Sequence, residues 1–112
     1  MGLYIPWAAA FKRGVPVPLR NTTTDLMDEV KEANGITSDY RLAKLLDVQT
    51  TTISNYRKGR SQASDEIALK MAEMIKRAPA PLLAQIAAER ASSPEVAKVW
   101  RDAAKVLARA SR

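Results

Sequence analysis

The chain has 112 residues, 46% of them hydrophobic, which is enough for one domain with one modest core. It contains no cysteine and no histidine, which excludes disulfides and removes the side chains that most often bind zinc. The usual general base is missing as well, so we do not expect an enzyme, a metal site or a cofactor.

The net charge of +6 is unevenly spread, because residues 1–21 and 80–112 carry +3 each while residues 22–79 are neutral. Within the neutral part, residues 48–64 hold three bases and no acid. A local cationic patch suggests a polyanionic partner, although a solvated surface explains it equally well on this ground alone.

No apolar stretch approaches the roughly 20 residues that span a bilayer. Residues 1–14 lack the basic segment that precedes the apolar run of a signal peptide. We therefore expect a cytoplasmic protein with no membrane partner.

Prolines dominate the N-terminal stretch of residues 1–21, which holds Pro6, Pro16 and Pro18. Pro16 and Pro18 exclude a helix there, so we predict a flexible or extended arm. From residue 22 onward the pattern predicts an all-α bundle of about five to six helices.

The first helix is predicted to start at Thr22 as its cap and to end at Asn34-Gly35, a C-cap signal. Asp25 lies in its first turn, where the helix dipole favours an anion. The expected inward residues recur at helical spacing: they are Leu26, Met27, Val30 and Ala33.

A second helix is predicted from a cap at Thr37 or Ser38 to about Leu46, followed by a tight turn at "DVQ". A third helix is predicted over residues 49–58, with Ile53 and Tyr56 inward. Gly59 is its expected end.

A fourth helix is expected after Ser64 and is interrupted by Pro79 and Pro81. Its expected inward residues are Ile67, Leu69, Met71, Ala72, and Met74 or Ile75. A fifth helix is expected over residues 82–91.

A sixth helix is expected to begin with Ser93 as cap and Pro94 as first residue. It carries an apolar stripe, which we expect to pack within the chain: Val96, Val99, Trp100, Ala103 and Leu107. We assign residues 79–112 to packing and dimerisation.

Helix two, a short turn and helix three form a helix-turn-helix pattern. With Ile53 and Tyr56 inward, Thr50, Thr51 and Asn55 face outward at the end that would enter a major groove first. Threonine and asparagine side chains can hydrogen-bond base edges.

The segment "RLAKLLDVQTTTISNYRKGR", followed by "SDEIALKMAEMI", resembles the Cro/C1-type (XRE-like) helix-turn-helix family of phage repressors and bacterial transcriptional regulators. The resemblance covers residues 22–78. It implies a sequence-specific regulator that binds double-stranded DNA as a homodimer.

The resemblance also implies which residues contact DNA. Base-reading residues would be Thr50, Thr51, Thr52 and Asn55. Phosphate contacts would come from Ser38, Tyr40, Arg41, Gln49, Lys58 and Arg60.

Two positions depart from the family's pattern. Asp47 stands where many members have a left-handed glycine, a conformation that Asp tolerates better than most residues. Asp39 stands where many members have a phosphate-contacting glutamine, and a carboxylate there would repel phosphate. By the same resemblance, Arg57 is expected to form a structural ion pair with Glu32.

Two other functions can be weighed against this one, an antitoxin-type protein and a nuclease, and the sequence disfavours the nuclease. An antitoxin-type protein would use the same DNA-binding fold and bind a protein partner through its termini. A nuclease would need clustered carboxylates for metal, whereas the acids here are scattered along helices one and four.

Overall fold

Six α-helices follow one another along residues 21–111, the part of the chain that the computed structural model describes. In chain order they are α1 (Thr22–Ala33), α2 (Asp39–Leu46), α3 (Thr50–Arg57), α4 (Asp65–Met74), α5 (Pro79–Arg90) and α6 (Pro94–Ala110). Residues 21–111 contain no β-strand, and the predicted all-α class is confirmed. The predicted arm lies outside the described residues, apart from Asn21.

Side-chain caps start four of the helices. Ser38, Ser64 and Ser93 each accept a hydrogen bond from the backbone N–H three residues later. The predicted caps Ser38 and Ser93 are confirmed, as is the start of α4 after Ser64. The predicted cap of α1 is wrong: Asn21 accepts from the N–H of Thr24 at 2.9 Å. The hydroxyl of Thr22 is engaged elsewhere.

The prolines at the start of α5, Pro79 and Pro81, do not break α4, contrary to the prediction. α4 has already ended at Met74, and Lys76 takes a left-handed φ of 58° in the turn that follows. Pro79 is the first residue of α5, where a missing N–H costs nothing. The fifth helix therefore begins three residues before the predicted start at residue 82.

One hydrophobic core joins the first five helices. Its buried members are Leu26, Met27, Val30, Leu42, Ala43, Leu46, Ile53, Tyr56, Ala63, Ala68, Met71, Ala72, Leu82 and Ile86. Two predicted inward residues are exposed: Ala33 in the last turn of α1, and Leu69, which is 40% exposed. Ile67, Met74 and Ile75 are only partly buried and pack against the core from its edge. Ala68 takes the inward position of α4 that was assigned to Leu69, because α4 turns its Ala68–Met71–Ala72 side toward the core.

α5 is tied to α1 as well as to α4. The carboxylate of Glu89 accepts hydrogen bonds from the backbone N–H of Thr22 at 3.1 and 3.2 Å and from its hydroxyl at 2.7 Å. A carboxylate at a helix N-terminus also meets the positive end of the helix dipole. α6 lies outside this assembly, because among the described helices it contacts only α5.

Candidate nucleic-acid interface

The turn between α2 and α3 is a Schellman-type C-cap. Asp47 has φ 58° and ψ 48°, the left-handed conformation expected at this position. The N–H of Val48 donates to the carbonyl of Ala43 at 2.9 Å, and that of Asp47 donates to Lys44 at 3.2 Å. Val48 packs against the core. The turn thereby fixes where α3 starts relative to α2.

α3 separates its side chains between core and solvent. Ile53 and Tyr56 are 1% and 5% exposed. Thr50 and Thr51 are exposed, and Asn55 is half-buried one turn further along. The hydroxyls and the amide therefore share the side of α3 that the core leaves open, as the helical spacing predicts.

The N-terminus of α3 is uncapped by side chains. Gln49 is the N-cap residue, but its side chain makes no capping hydrogen bond, and it accepts a long 3.4 Å bond from the hydroxyl of Thr51. No acid lies in the first turn. Thr52 is half-buried at the edge of the exposed side. The positive end of this helix is therefore available to an external anion.

α3 ends in a second left-handed turn. Gly59 has φ 74°, a conformation that glycine adopts without strain, and the N–H of Arg60 donates to the carbonyl of Asn55 at 3.0 Å. Lys58 and Arg60 are both exposed. Neither forms an ion pair with any residue that the structure describes, so both ammonium and guanidinium groups face solvent.

The N-terminus of α2 presents Ser38 and Tyr40. The Ser38 hydroxyl accepts from the N–H of Arg41 at 3.2 Å, which leaves its hydrogen for an external acceptor. Tyr40 is 59% exposed, and the ammonium of Lys44 lies 5.0 Å from the centre of its ring. A cation held over the ring adds positive charge beside the phenol.

An open groove between α2 and α3 brings several predicted contact residues together. Tyr40 lines it from α2, and Thr50, Ser54 and Lys58 line it from α3 and its C-terminal end. Arg41 lies apart from them, on the flank of α2 that faces Asn34 and Gly35 after α1. The structure therefore groups Tyr40 with the third helix, but not Arg41.

Arg57 forms ion pairs with Asp28 and Asp39. The predicted ion pair of Arg57 with Glu32 is wrong. Its guanidinium donates to both Asp39 oxygens, at 3.0 and 2.9 Å, and lies 2.8 Å from Asp28. Lys31 also donates to Asp39, at 2.9 Å. Asp28 lies one turn before Glu32 on the same side of α1, and Glu32 is exposed.

The cluster changes the expected role of Asp39. Partial burial by itself would raise the pKa of Asp39, but the hydrogen bonds from Arg57 and Lys31 outweigh it and hold the pKa below its usual value. Burial likewise opposes the charge of Arg57, whose pKa is nevertheless raised by its two carboxylate partners. The negative charge of Asp39 is thus offset by two cations within the fold.

Two residues outside the helix-turn-helix, Thr23 and Arg90, hold the loop between α3 and α4. The buried hydroxyl of Thr23 donates to the side-chain oxygen of Gln62 at 3.0 Å and accepts from the N–H of Ala63 at 3.1 Å. Arg90 reaches the carbonyl of Ala63 and the carboxylate of Asp65, each at 3.4 Å. This clamp of Thr23 and Arg90 on the loop was not predicted, because no local pattern in the sequence relates residues so far apart.

Residues 21–111 hold no group of three or more carboxylates that could bind a metal ion. In the same part of the chain, no helix combines the length and the apolar character needed to cross a membrane.

Comparison with known proteins agrees with the geometry of α2 and α3. A family model described as helix-turn-helix matches residues 28–82. The chain is also similar to the uncharacterized protein Gp-c of Pseudoalteromonas phage PM2, with 38% identity over 85 residues, covering 71% of this chain and 91% of the relative. No solved structure matches.

Proposed function

The chain belongs to the Cro/C1-type (XRE-like) helix-turn-helix family, and on that premise we propose a sequence-specific regulator of transcription. It is repressor-like, of phage or prophage type, and acts in the cytoplasm without catalysing a reaction. It binds double-stranded DNA as a dimer, with α3 in the major groove.

The observation that carries this proposal is the exposed N-terminal side of α3. Thr50, Thr51 and Asn55 lie together above a buried Ile53 and Tyr56. An α-helix with its side chains is about 10–12 Å wide and fits a major groove of about 12 Å. Threonine can hydrogen-bond a base and contact the methyl of thymine, and asparagine can form two hydrogen bonds to adenine. Thr52, at the edge of the same side, is the fourth base-reading residue of the proposal.

Cations and helix termini at both ends of the motif support backbone contacts. Lys58 and Arg60 follow α3 with no internal ion pair among the described residues, so no internal carboxylate competes with a phosphate. Ser38 and Tyr40 lie at the N-terminus of α2, where free N–H groups favour an anion. Gln49 occupies the equivalent place before α3. Arg41, on the other flank of α2, would reach a different phosphate.

Asp39 fits this arrangement despite its charge. Arg57 and Lys31 both bind its carboxylate, so the negative charge that would repel phosphate is offset inside the protein. Because Asp39 is the first residue of α2, its carboxylate also interacts favourably with the positive end of the helix dipole.

A second candidate function is an antitoxin-type protein that binds DNA and also a protein partner. It is favoured by the exposed apolar side chains of α6, which lie outside the matched helix-turn-helix. Isolation of the chain in a stable complex with a different protein would favour this candidate over a simple repressor.

The test is selection of bound duplexes from a random DNA library by the purified full chain. We expect enrichment of a palindrome with half-sites about 34–36 Å apart, one helical turn. The double variant Thr50→Ala, Thr51→Ala should fold normally, because both side chains are exposed, and should lose the enrichment. Failure of the unaltered chain to enrich any sequence, or a preference for single strands, would contradict the proposal.

A further inference from the structure

α6 buries only part of its apolar surface within the chain. Ala97 and Ala104 are the buried residues of this helix, which packs against α5. Val96, Val99 and Val106 are 48%, 66% and 60% exposed. The stripe predicted to pack within the chain is therefore largely on the outside, because small alanines, not valines, face α5.

Four exposed residues of α6 and the half-buried Ala103 repeat with the spacing of a coiled-coil seam. Val96, Val99, Ala103, Val106 and Ala110 follow one another at intervals of three, four, three and four residues. This is the spacing that keeps one side of a helix against a partner helix over about four turns. We call these five residues the α6 seam.

We propose that the α6 seam pairs antiparallel with the α6 seam of a second copy of this chain, around a two-fold axis between Val99 and Ala103. This assigns an interface to the dimer of the proposed function and rests on that function. Paired in this way, Val99 of each copy meets Ala103 of the other, and Val96 meets Val106.

Charges beside the seam favour the antiparallel arrangement. Glu95, Asp102 and Arg109 recur every seven residues along one edge of it. Antiparallel pairing puts Glu95 opposite Arg109 of the second copy, and symmetry makes this contact twice. Within the described residues neither Glu95 nor Arg109 has an ion-pair partner.

A parallel pair would lose this match. In a parallel coiled coil, a residue on the edge that carries Glu95 and Asp102 faces the opposite edge of the partner helix. The residue that it meets there has a number higher by five. Glu95 would then lie against Trp100 and Asp102 against Leu107, which leaves both carboxylates facing apolar groups. The sequence of α6 therefore selects the antiparallel pair.

Two residues lie close to the proposed axis. Asp102 would approach its own counterpart, but Lys98 binds its carboxylate at 2.8 Å within each copy and offsets the repulsion. Trp100, which is 42% exposed on the opposite edge of the seam, would meet the second Trp100 and be covered by it.

The first experiment measures self-association of the full chain by sedimentation equilibrium over a wide range of concentration. Val99→Lys should weaken association by about tenfold or more, because a cation replaces an apolar contact twice per dimer. Lys at this position lies one turn after Glu95, so the helix itself is supported. The matched control is Leu69→Lys, an exposed apolar residue on α4, which should associate like the unaltered chain.

A charge exchange tests the orientation. Glu95→Arg and Arg109→Glu should each weaken association, and the double variant should restore it to within about threefold of the unaltered chain. Thermal melts of each variant establish that it is folded. Association unchanged in Val99→Lys, no rescue in the double variant, or an unaltered chain that stays monomeric would each overturn the proposed interface.

Measurements of DNA binding distinguish a failure of the proposed interface from a failure of the proposed function. With duplexes selected by the unaltered chain, Val99→Lys should bind the full palindrome more weakly but an isolated half-site equally well. A dimer that Val99→Lys weakens but that binds no duplex would overturn the function and support the interface. Binding by a chain that never dimerises would overturn the interface and the proposed dimer, but would support DNA binding itself.

Discussion

The hydroxyl of Thr23 accepts a hydrogen bond of 3.1 Å from the backbone N–H of Ala63, 40 positions further along the chain. Thr23 is fully buried, and the same hydroxyl donates to Gln62. Through this contact α1 holds the loop that begins with Lys58 and Arg60. The placement of the proposed phosphate contacts thus depends on a residue far from the helix-turn-helix.

Thr23→Val should lower the free energy of unfolding by about 1–3 kcal/mol, because it keeps the shape of the side chain but leaves the N–H of Ala63 buried without a partner. Urea denaturation measures the loss. Thr23→Ser is the matched control, since it keeps the hydroxyl and should cost less than about 1 kcal/mol for the missing methyl. Equal losses in the two variants would show that packing, not hydrogen bonding, holds the loop.

Asp39→Asn should lower the free energy of unfolding at pH 7 by about 1 kcal/mol, a modest value because the carboxylate is partly exposed and screened by solvent. The folded protein holds the pKa of Asp39 below its unfolded value, because its partners Arg57 and Lys31 outweigh the effect of burial. The stabilisation is therefore complete above the unfolded pKa of about 3.9 and is lost as pH falls through the lower folded value. Denaturation of the unaltered chain and of Asp39→Asn should be measured at a series of acidic pH values. The difference between their free energies of unfolding should vanish as the pH falls.

Glu32→Gln is the control for the ion-pair cluster. Glu32 is exposed and makes no contact with Arg57, so this variant should unfold like the unaltered chain at pH 7. A loss as large as that of Asp39→Asn would contradict the observed pairing of Arg57.

Asn55→Ala should cost about 1–3 kcal/mol of binding to the selected site and flatten the preference at one base pair, most simply an A·T pair. Lys58→Ala should instead weaken selected and random duplexes equally, because phosphates carry no sequence. Lys105 is an exposed cation on α6, and Lys105→Ala is the control for loss of charge alone. It should change the affinity for neither the selected nor the random duplex. Binding titrations on both duplexes at one salt concentration separate these outcomes. If Asn55→Ala weakened both duplexes equally and Lys58→Ala changed the sequence preference, α3 would not lie in the major groove as proposed.

Binding should fall steeply with salt. If each copy neutralises about three phosphates, the dimer should give a slope near −5 in a plot of log affinity against log salt concentration. Lys58→Ala should make the slope less negative by about two, one for each copy. A flat response would contradict binding through the cations that follow α3.

Leu82→Ala should destabilise the protein by about 2–5 kcal/mol, since Leu82 is buried in the core shared with α1 and α4. Val99→Ala on α6 should change the stability of the monomer by less than about 0.5 kcal/mol, because its side chain is mostly exposed. Thermal melts at low protein concentration compare the two. Equal effects would show that α5 and α6 do not differ in their attachment to the core.

Local signals in the sequence determined most of the helices. Serine caps, the Asn34-Gly35 end of α1 and the left-handed positions at Asp47 and Gly59 are interactions within a few residues, so they can be predicted from neighbours alone. The outward position of Thr50, Thr51 and Asn55 follows equally from Ile53 and Tyr56 being inward, because helical geometry relates them. For the same reason the helix-turn-helix family could be recognised from one continuous segment.

Contacts between distant parts of the chain could be decided only by the tertiary structure. Whether Arg57 pairs with Glu32 or with Asp28 and Asp39 depends on the position of α1 along its axis relative to α2 and α3, because Asp28 and Glu32 lie one helical turn apart on α1. The clamp of Thr23 on Ala63 depends on the path of the loop before α4. On α6, helical spacing alone is compatible with either alanines or valines against α5. Packing places the small alanines inside, since they allow close approach of the helices, and leaves the valines exposed.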